Sequence, residues 1–291
     1  MMLDSKKVRI QSLTQGTQEW LDYRLDKIGA SEFASLAGVL GLTCNKFNST
    51  YFSLLYGKLR NKYATYKSNY KSLPLEMGSV CEDLIREYLF VSSGIEAVPA
   101  VVTPVDSLRI FSSLDGIDLK NKILVEIKTS SHIHSEEDVK TLLHYYCHQV
   151  IHQLYSLGES VAPDGKIAII AILNLEFFNG SNFEECISIY DIFKESDDFI
   201  VRKDSSISDF CRVNLSRSKW KDYCLKFVDD LDKLEHSLYV KRPRDKLELL
   251  NLKSVINNSD ISCQINGTLL KIDDGGSLSL CKKYLKGKNN G

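Results

Sequence analysis

The pattern of hydrophobic and polar positions predicts six helices and a set of strands between them. The helices are expected at residues 20–27, 32–37, 49–63, 75–90, 135–158 and 216–238. Strands are expected at residues 98–102, 108–112, 166–175 and 185–192, with a short strand near Val8 and Ile10. Because residues 166–175 are almost continuously apolar, they are typical of a buried central strand, which indicates a sheet covered by helices.

Between these elements, residues 112–118 and 123–128 predict two strands joined by a tight turn. Asp115 is expected at the start of the turn, and Gly116 supplies the turn residue. A hairpin of this kind brings Asp115 beside Glu126. Two carboxylates that lie close together repel each other unless a cation lies between them.

The second strand separates its side chains onto two faces. Glu126 and Lys128 are two residues apart and leave one face, and the apolar Ile123, Val125 and Ile127 leave the other. Carboxylate oxygens favour Mg²⁺ or Mn²⁺, so Glu126 and Asp115 form a candidate metal site. The ammonium group of Lys128 lies next to this site. The alternative interpretation is an ordinary hairpin with solvated charges.

Composition constrains the class of protein without deciding its function. The chain has 291 residues, 43% of them hydrophobic, with 37 Lys and Arg against 38 Asp and Glu. This length allows one large domain or one domain with an appendage, and the balanced charge neither supports nor excludes nucleic acid as a partner. Eight scattered cysteines without a C-x-x-C pair argue against a zinc or iron–sulfur site. With no signal peptide and no apolar run of membrane-spanning length, a cytoplasmic protein with free thiols and no membrane association is expected.

Near the N-terminus, the residues Ile28-Gly29-Ala30-Ser31 separate two short helices. Ser31 is a good N-cap for the helix at residues 32–37, which Gly38 would close. The same geometry also allows an anion site, because a helix N-terminus offers a hydroxyl and free N–H groups. Arg24 nearby would then supply a guanidinium fork for a phosphate.

Three further features each leave two interpretations open. Lysines, arginine and tyrosines alternate from residue 56 to residue 71, which is typical of either a DNA-facing surface or a solvated segment. Glu82 falls on the apolar face of its predicted helix and must be paired, protonated or metal-bound. His144, His148 and His152 repeat at four-residue spacing; this spacing allows a metal site, but surface or DNA-proximal positions are the preferred interpretation.

Composition shifts after residue 240, where Asn, Ser, Asp and Gly become common. We therefore expect one domain over residues 1–240 and a small, partly flexible appendage over residues 241–291. Short strands are expected in the appendage at residues 262–265 and 268–272.

Five motifs in order resemble the lambda exonuclease / YqaJ-type viral recombinase family of the PD-(D/E)xK nuclease superfamily. The motifs are Trp20 and Arg24 with Ile28-Gly-Ala-Ser31, Met77-Gly78-x-x-x-Glu82, Ser113-x-Asp115-Gly116, Glu126-x-Lys128, and Tyr145-Tyr-x-x-Gln149-Val-x-x-Gln153. The likeness covers about residues 15–240. Leu114 departs from the proline that the family usually has there, which shapes a turn and ligates nothing.

The resemblance implies an α+β fold with a restriction-endonuclease-like core, a central mixed β-sheet flanked by helices. It also implies a Mg²⁺-dependent exonuclease that digests one strand of duplex DNA from its 5′ end, with Mn²⁺ able to substitute. By residue match, Asp115, Glu126 and the Ile127 carbonyl would hold the metal, and Glu82 would complete the site directly or through water. Lys128 would orient or deprotonate the attacking water and stabilise the developing phosphorane charge.

In the same comparison, Gln149 would position that water or Lys128, and Arg24, Ser31 and Ser113 would bind the terminal 5′ phosphate. Implied partners are double-stranded DNA ends and a single-strand annealing protein, in a bacterial or phage setting, and the family often forms ring-shaped homotrimers. Two alternatives stay open: a restriction-like endonuclease on the same fold, and a catalytically silent DNA-binding scaffold.

Overall fold

The computed structural model describes residues 6–63, 73–131, 133–158, 165–203, 208–241, 262–265, 268–272 and 278–280. The basic and aromatic residues from position 64 to position 71, predicted to be either DNA-facing or solvated, lie outside the described residues, as does the tail from residue 281 onward.

Eight strands form one sheet and lie in it in sequence order; that the sheet is mixed agrees with the expectation. They are β1 (Val8–Gln11), β2 (Val98–Pro104), β3 (Ser112–Asp118), β4 (Ile123–Ser130), β5 (Gly165–Asn174), β6 (Ile187–Glu195), β7 (Asp198–Lys203) and β8 (Asp209–Asn214). Only β4 and β5 pair in parallel, and every other neighbouring pair is antiparallel. The strands β7 and β8 were not predicted, since their short segments mix charged and apolar residues without a clear alternation.

Helices cover both faces of the sheet. They are α1 (Gln18–Tyr23), α2 (Ala30–Val39), α3 (Tyr51–Tyr63), α4 (Leu73–Ser93), α5 (Glu136–Leu157), α6 (Phe183–Cys186) and α7 (Arg217–Lys241). One apolar cluster joins the sheet to α2, α3, α5 and α7 and includes Phe33, Leu55, Leu154 and Trp220. A second cluster joins α4 to the opposite face, where Ile85 packs with Val125 and Ile169. Because helices cover both faces of β4, Glu126 points into a covered layer rather than into solvent.

The central helix α5 has well-defined ends, and its bounds lie within one residue of the predicted range 135–158. The Ser135 hydroxyl accepts from the Asp138 N–H at the N-terminus, and acidic residues occupy the first turn. Gly158 ends the helix with φ of 76°, a left-handed conformation that favours glycine. Thirteen buried residues line the helix, so its polar members must find partners inside the protein.

The hairpin differs from the prediction in the position of its turn. Asp115 and Gly116 lie inside β3, and the chain reverses after Asp118, whose carboxylate accepts the N–H groups of Lys120 and Asn121. An Asp that caps the next backbone N–H groups is a strong turn former, and it outcompetes the Asp-Gly pair three residues earlier. The strand predicted at residues 108–112 is also wrong: β3 begins at Ser112, and the preceding residues form a turn and a single bridge from Ile110 to Ile28.

The C-terminal region contains a second, three-stranded sheet. The strands β9 (Ser262–Ile265), β10 (Thr268–Ile272) and β11 (Leu278–Leu280) pair antiparallel in the order β11-β10-β9, and the first two confirm the predicted bounds. The division at residue 240 into a domain and an appendage stays a prediction. In the described part of the chain, no helix has the length and apolar character needed to cross a bilayer.

Candidate active site

A pocket of about 150 Å³ lies between α1, α2, β3 and α5. Five predicted site residues line it together: Arg24, Ser31, Ser113, Asp115 and Gln149. The remaining lining residues are Gln15, Trp20, Gly29, Ala30, Glu32 and Phe111. The structure thus brings residues predicted to bind phosphate and residues predicted to act on it into one cavity.

Glu126 is the most buried charged group of the site, with no exposed surface. Gln149 Nε2 donates to its Oε1 over 2.5 Å, and Gln153 Nε2 donates to its Oε2 over 2.7 Å. The two glutamines lie one helical turn apart on α5, so a single helix face holds both oxygens of the carboxylate. Both amides therefore fix the orientation of Glu126.

Lys128 and Asp115 complete this cluster. The Lys128 ammonium pairs with Glu126 Oε1 and lies 3.7 Å from Asp115 Oδ2. The Ile127 N–H donates to Asp115 Oδ2 over 2.9 Å, which ties the side chain from β3 to the backbone of β4. Asp115 therefore lies near Glu126, delivered by a strand rather than by a turn, and the Lys128 ammonium lies between the two carboxylates.

Close packing around Gly116 holds β3 in the position that the contact between Asp115 and the Ile127 N–H requires. Gly116 pairs with Val125 across the strands. A Cβ at Gly116 would lie 2.6 Å from the Cβ of Ala97, closer than real carbon contacts. Glycine at this position therefore lets β3 lie against the neighbouring segment next to Asp115.

The electrostatics of the cluster reflect crowded charges. Burial and the neighbouring Asp115 carboxylate raise the pKa of Glu126 to about 7. Burial lowers the pKa of Lys128, but Glu126 and Asp115 outweigh this effect and raise it above its ordinary value. The two carboxylates therefore favour the protonated form of Lys128, and its role as a base for the attacking water stays a prediction.

Glu82 lies at the margin of this cluster. It is partly exposed and forms an ion pair of 3.6 Å with Arg86, one turn further along α4. Burial and the charge of Asp115 raise the pKa of Glu82, so the two carboxylates interact electrostatically. Arg86 also donates to the Asp115 carbonyl oxygen over 2.9 Å and thereby joins α4 to β3.

The expected convergence of three acids is not observed. Among the residues that the structure describes, no group of three or more His, Cys, Asp and Glu side chains is arranged to hold a metal ion. Asp115 and Glu126 are drawn together by Lys128, whereas Glu82 is drawn toward Arg86. Glu82 thus forms a salt bridge at the edge of the core, and its role at a metal ion stays a prediction.

The remaining pair still fits a hard divalent cation. Asp115 and Glu126 present oxygen ligands, and the raised pKa of Glu126 shows that a nearby positive charge would stabilise its ionised form. Gln153 Oε1 is buried without a partner among the described residues, which leaves an acceptor beside Glu126. This donor set suits Mg²⁺ or Mn²⁺ better than zinc.

On the other side of the pocket, Arg24 is held in place by several contacts. Its Nη2 lies 2.7 Å from Glu32 Oε1, and its guanidinium lies 4.6 Å from the centre of the Trp20 ring. Trp20 Nε1 donates to the Ser113 hydroxyl over 2.7 Å. One indole therefore orders two of the predicted phosphate-binding side chains, Arg24 by its face and Ser113 by its N–H.

Ser31 lies in the pocket but is not the N-cap that the sequence predicts. The helix α2 begins at Ala30 with Gly29 as its N-cap, and Glu32 accepts the Gly29 N–H over 3.1 Å. The carboxylate of Glu32 takes the capping role, so the Ser31 hydroxyl in the first turn is available to a ligand. The helix also continues past Gly38 to Val39.

Lys58 was grouped with the basic and aromatic segment, but the structure buries it. It is 6% exposed, and its Nζ lies 2.8 Å from Glu32 Oε1 and donates to the Arg24 carbonyl oxygen over 2.8 Å. The two neighbouring cations lower the pKa of Glu32 against the effect of its burial. Lys58 thus stabilises two residues that line the pocket, Glu32 and Arg24, without lining the pocket itself.

Two of the three repeated histidines belong to the core, which corrects the expectation of surface or DNA-proximal residues. His148 and His152 are buried, and His144 lies partly exposed with its Nδ1 3.0 Å from the Thr43 hydroxyl. His152 accepts the Trp220 N–H at Nδ1 and donates from Nε2 to the Phe111 carbonyl oxygen. Burial lowers the pKa of both buried imidazoles to about 4, so they are neutral.

Residues 19–160 match the family model of the YqaJ-like viral recombinase domain. This segment, just under half of the chain, is similar to that domain. Every predicted site residue lies within the matched segment, and the family is consistent with a nuclease. No curated protein matches the chain in sequence.

Two solved structures are similar to this chain. The crystal structure of LHK-Exo in complex with dAMP has a TM-score of 0.52 at 14% identity, covering 78% of this chain and 99% of that chain. A phage-related exonuclease from Haemophilus somnus 129PT has a TM-score of 0.47 at 12% identity, covering 74% of this chain and 96% of that chain. The first likeness confirms the expected restriction-endonuclease-like fold.

Sequence reasoning assigned no role to four residues of the candidate site: Trp20, Glu32, Lys58 and Gln153. Trp20 and Gln153 belong to the motifs but had no role there. Trp20 is four residues from Arg24, and Gln153 is four residues from Gln149, so this spacing could have placed each beside a predicted site residue. Glu32 carried the Gly29-x-x-Glu32 capping pattern. No local pattern marks Lys58, because its contact joins residues far apart in the chain.

Proposed function

We propose that this protein is a metal-dependent deoxyribonuclease, an exonuclease that degrades one strand of linear duplex DNA in the 5′→3′ direction. The single observation that carries this proposal is the shared pocket. Arg24, Ser31 and Ser113 line it on one side, and Asp115 with Gln149 on the other. A cavity of this composition suits a phosphate group held next to a carboxylate and ammonium cluster.

A site that binds the end of a strand favours an exonuclease over an endonuclease that cuts internal bonds. A terminal 5′ phosphate carries more negative charge than an internal diester, and the Arg24 fork with two hydroxyls matches it. The Arg24 guanidinium is stacked on Trp20 and paired with Glu32, so little ordering remains when the phosphate binds. One structural neighbour is a complex with dAMP, a nucleoside monophosphate of the kind that an exonuclease releases.

In this proposal Asp115, Glu126 and the Ile127 carbonyl hold the metal, with Glu82 completing the site directly or through water. Bound Mg²⁺ supplies a polarised phosphoryl oxygen and a more acidic water. Glu126 is oriented for this purpose by Gln149 and Gln153, and Asp115 by the Ile127 N–H.

Lys128 acts as a cation in the proposed reaction. Its raised pKa keeps the proton on Nζ, so the ammonium stabilises negative charge that develops on the phosphate oxygens. Gln149 lines the pocket and donates to Glu126, which places its amide between the phosphate and the metal ligands. The helix α5 excludes water behind Glu126, because that face of the sheet is covered.

The test compares the parent with Asp115→Asn and Lys128→Met on linear duplex DNA with Mg²⁺. We expect digestion by the parent and a loss of at least about a hundredfold in both variants. Lys120→Met is the matched control, since Lys120 is exposed in the turn after β3. Equal digestion by the parent and both site variants would refute the assignment.

Covalently closed circular duplex separates this proposal from the restriction-like endonuclease. An enzyme that needs an end leaves the circle intact and digests the same DNA once it is linearised. If the circle is cut as fast as the linear form, the endonuclease is correct. If neither DNA is cut and Mn²⁺ does not bind, the silent scaffold is correct.

We further propose duplex DNA ends and a single-strand annealing protein as partners, in the cytoplasm. A ring-shaped homotrimer would keep the enzyme on its substrate. Analytical ultracentrifugation tests the trimer, because a monomer or dimer across the micromolar range would contradict it.

A further inference from the structure

The loop between α2 and α3 presents a large aromatic side chain to solvent. Phe47 in this loop is 62% exposed. Asn45 fixes the loop by accepting the Ser49 N–H over 2.9 Å and donating to the Ser49 carbonyl oxygen over 2.7 Å. Asn48 has φ of 47°, a conformation that asparagine tolerates better than most residues. The loop thus holds Phe47 outward in a defined turn.

Aromatic rings of α5 pack against this loop. The ring of Phe47 meets Tyr145 edge to face, with centroids 5.9 Å apart, and Tyr145 meets Tyr146 in the same way at 5.4 Å. The Tyr145 hydroxyl lies 3.0 Å from the Ser35 hydroxyl on α2. Phe47 is therefore the outermost ring of a stack that is anchored to two helices.

Lys46 adds a positive charge to the same surface. Its ammonium donates to the Tyr146 hydroxyl over 2.7 Å and lies 4.7 Å from the centre of that ring. Within the described ranges, no carboxylate forms an ion pair with Lys46. The site therefore combines an exposed aromatic side chain with a cation that forms no ion pair with a carboxylate of the described residues.

Tyr146 connects this surface to the candidate active site. The Lys128 ammonium lies 5.2 Å from the centre of the Tyr146 ring, so one ring contacts both Lys46 and Lys128. A strand whose scissile phosphate lies at Lys128 would bring its neighbouring nucleotide to Lys46 and Phe47. Nucleotides offer the matching chemistry, because each has an anionic phosphate and a π face.

We propose that Phe47 and Lys46 form a nucleotide-binding subsite for the strand under hydrolysis. The base next to the scissile phosphate stacks on Phe47, and its own phosphate pairs with Lys46. This inference rests on the proposed function, since it takes DNA as the substrate, and it assigns a role to residues outside the catalytic cluster.

The experiment measures binding of a 20-base-pair duplex with a four-nucleotide, 5′-phosphorylated single-stranded tail, in EDTA to prevent hydrolysis. In one set of substrates, a 2-aminopurine base is placed at each tail position in turn. In a control set, it is placed at the last positions of the complementary strand, next to the tail. We expect its fluorescence to be quenched at one tail position by the parent. The Phe47→Ala variant should lose this quenching and bind about tenfold more weakly.

Two further variants make the result specific. Phe90→Ala is the matched control, because Phe90 on α4 is similarly exposed at 58%, and it should bind and quench like the parent. The Lys46→Met variant should reduce the slope of log affinity against log salt concentration by about 1, as the loss of one phosphate contact requires.

The outcomes separate this subsite from the proposed function. If the parent binds DNA and Phe47→Ala binds and quenches equally well, the subsite is refuted and the nuclease proposal stands. Quenching only from the complementary strand would also refute it, because the strand assignment would be wrong. If the parent fails to bind DNA at all, both proposals fall together.

Discussion

Gln153 donates a hydrogen bond of 2.7 Å to Oε2 of Glu126, a carboxylate with no exposed surface. The same amide nitrogen lies 3.2 Å from the Ser113 carbonyl oxygen, so Gln153 joins α5 to both β3 and β4. Gln153 does not itself line the pocket, and it contacts the proposed phosphate-binding residue Ser113 only at its backbone carbonyl. We therefore regard Gln153 as a positioning residue for Glu126.

Replacing Gln153 with Leu should reduce kcat about 10- to 100-fold, because a metal ligand that loses its hydrogen-bond donor is no longer held in one orientation. The KM for duplex DNA should change little, since the phosphate side of the pocket is intact. Titration calorimetry should show weaker Mn²⁺ binding, which a purely structural defect would not produce selectively. Gln18→Leu, on exposed α1, is the control. Parental Mn²⁺ affinity in Gln153→Leu would contradict the positioning role.

The buried pair of Lys58 and Glu32 predicts an unequal effect of two lysines on one helix. Lys58→Met should lower the free energy of unfolding by about 2 kcal/mol, because Glu32 then keeps only Arg24 as a counter-charge. Lys62→Met on the same helix should cost at most about 1 kcal/mol, since its pair with Glu235 is partly exposed. Urea denaturation measures both values. Equal losses would show that Lys58 is not the buried support of the pocket.

His152 predicts a loss of stability in mild acid. Its pKa is lowered to about 4 in the folded protein from 6.5 in the unfolded chain, so between these values the unfolded state binds more protons and stability falls as the pH falls. Protonation would also place a hydrogen on Nδ1, which faces the Trp220 N–H. From pH 7 to pH 5 this group should cost about 2 kcal/mol.

Urea denaturation at both pH values tests this effect by comparing the parent with His152→Gln. The variant should be less stable at pH 7 but should lose about 2 kcal/mol less on acidification. His148, which is also neutral and buried, remains in both proteins and leaves part of the dependence in place. Identical losses in the two proteins would contradict a neutral His152.

The order of elements could be predicted from the sequence because local patterns specify it. The apolar run of β5 and the apolar stripe of α5 predicted bounds within one residue of those observed. The position of the hairpin turn could not be predicted in the same way. Two Asp-centred turn signals compete there, and Asp118 prevails through its bonds to Lys120 and Asn121.

The site was predictable only as a set of residue types. The motifs identified Asp115, Glu126 and Lys128, and the structure brings them together. What the sequence could not show is which cation each carboxylate selects. Arg86 and Lys128 are both within reach of acidic groups, and only the packing of α4 against β4 assigns Glu82 to the first and Glu126 to the second.

The burial of the histidines could not be predicted from the sequence either. A four-residue repeat predicts one helix face, but whether that face meets solvent depends on α7, whose Trp220 is more than sixty residues away and covers His152. Lys58 was likewise assigned by its basic neighbours, whereas its long side chain reaches back to Glu32. Contacts between distant segments decided both cases.

The most direct measurement of the central claim is a time course on linear duplex DNA labelled at either the 5′ or the 3′ end, with Mg²⁺. The account predicts that a 5′-phosphorylated strand loses its 5′ label first as a mononucleotide, while its 3′ label stays in progressively shorter fragments. An Arg24→Gln variant should lose the preference for a 5′ phosphate over a 5′ hydroxyl. Release of the 3′ label first, or no release with Mg²⁺ or Mn²⁺, would contradict the account.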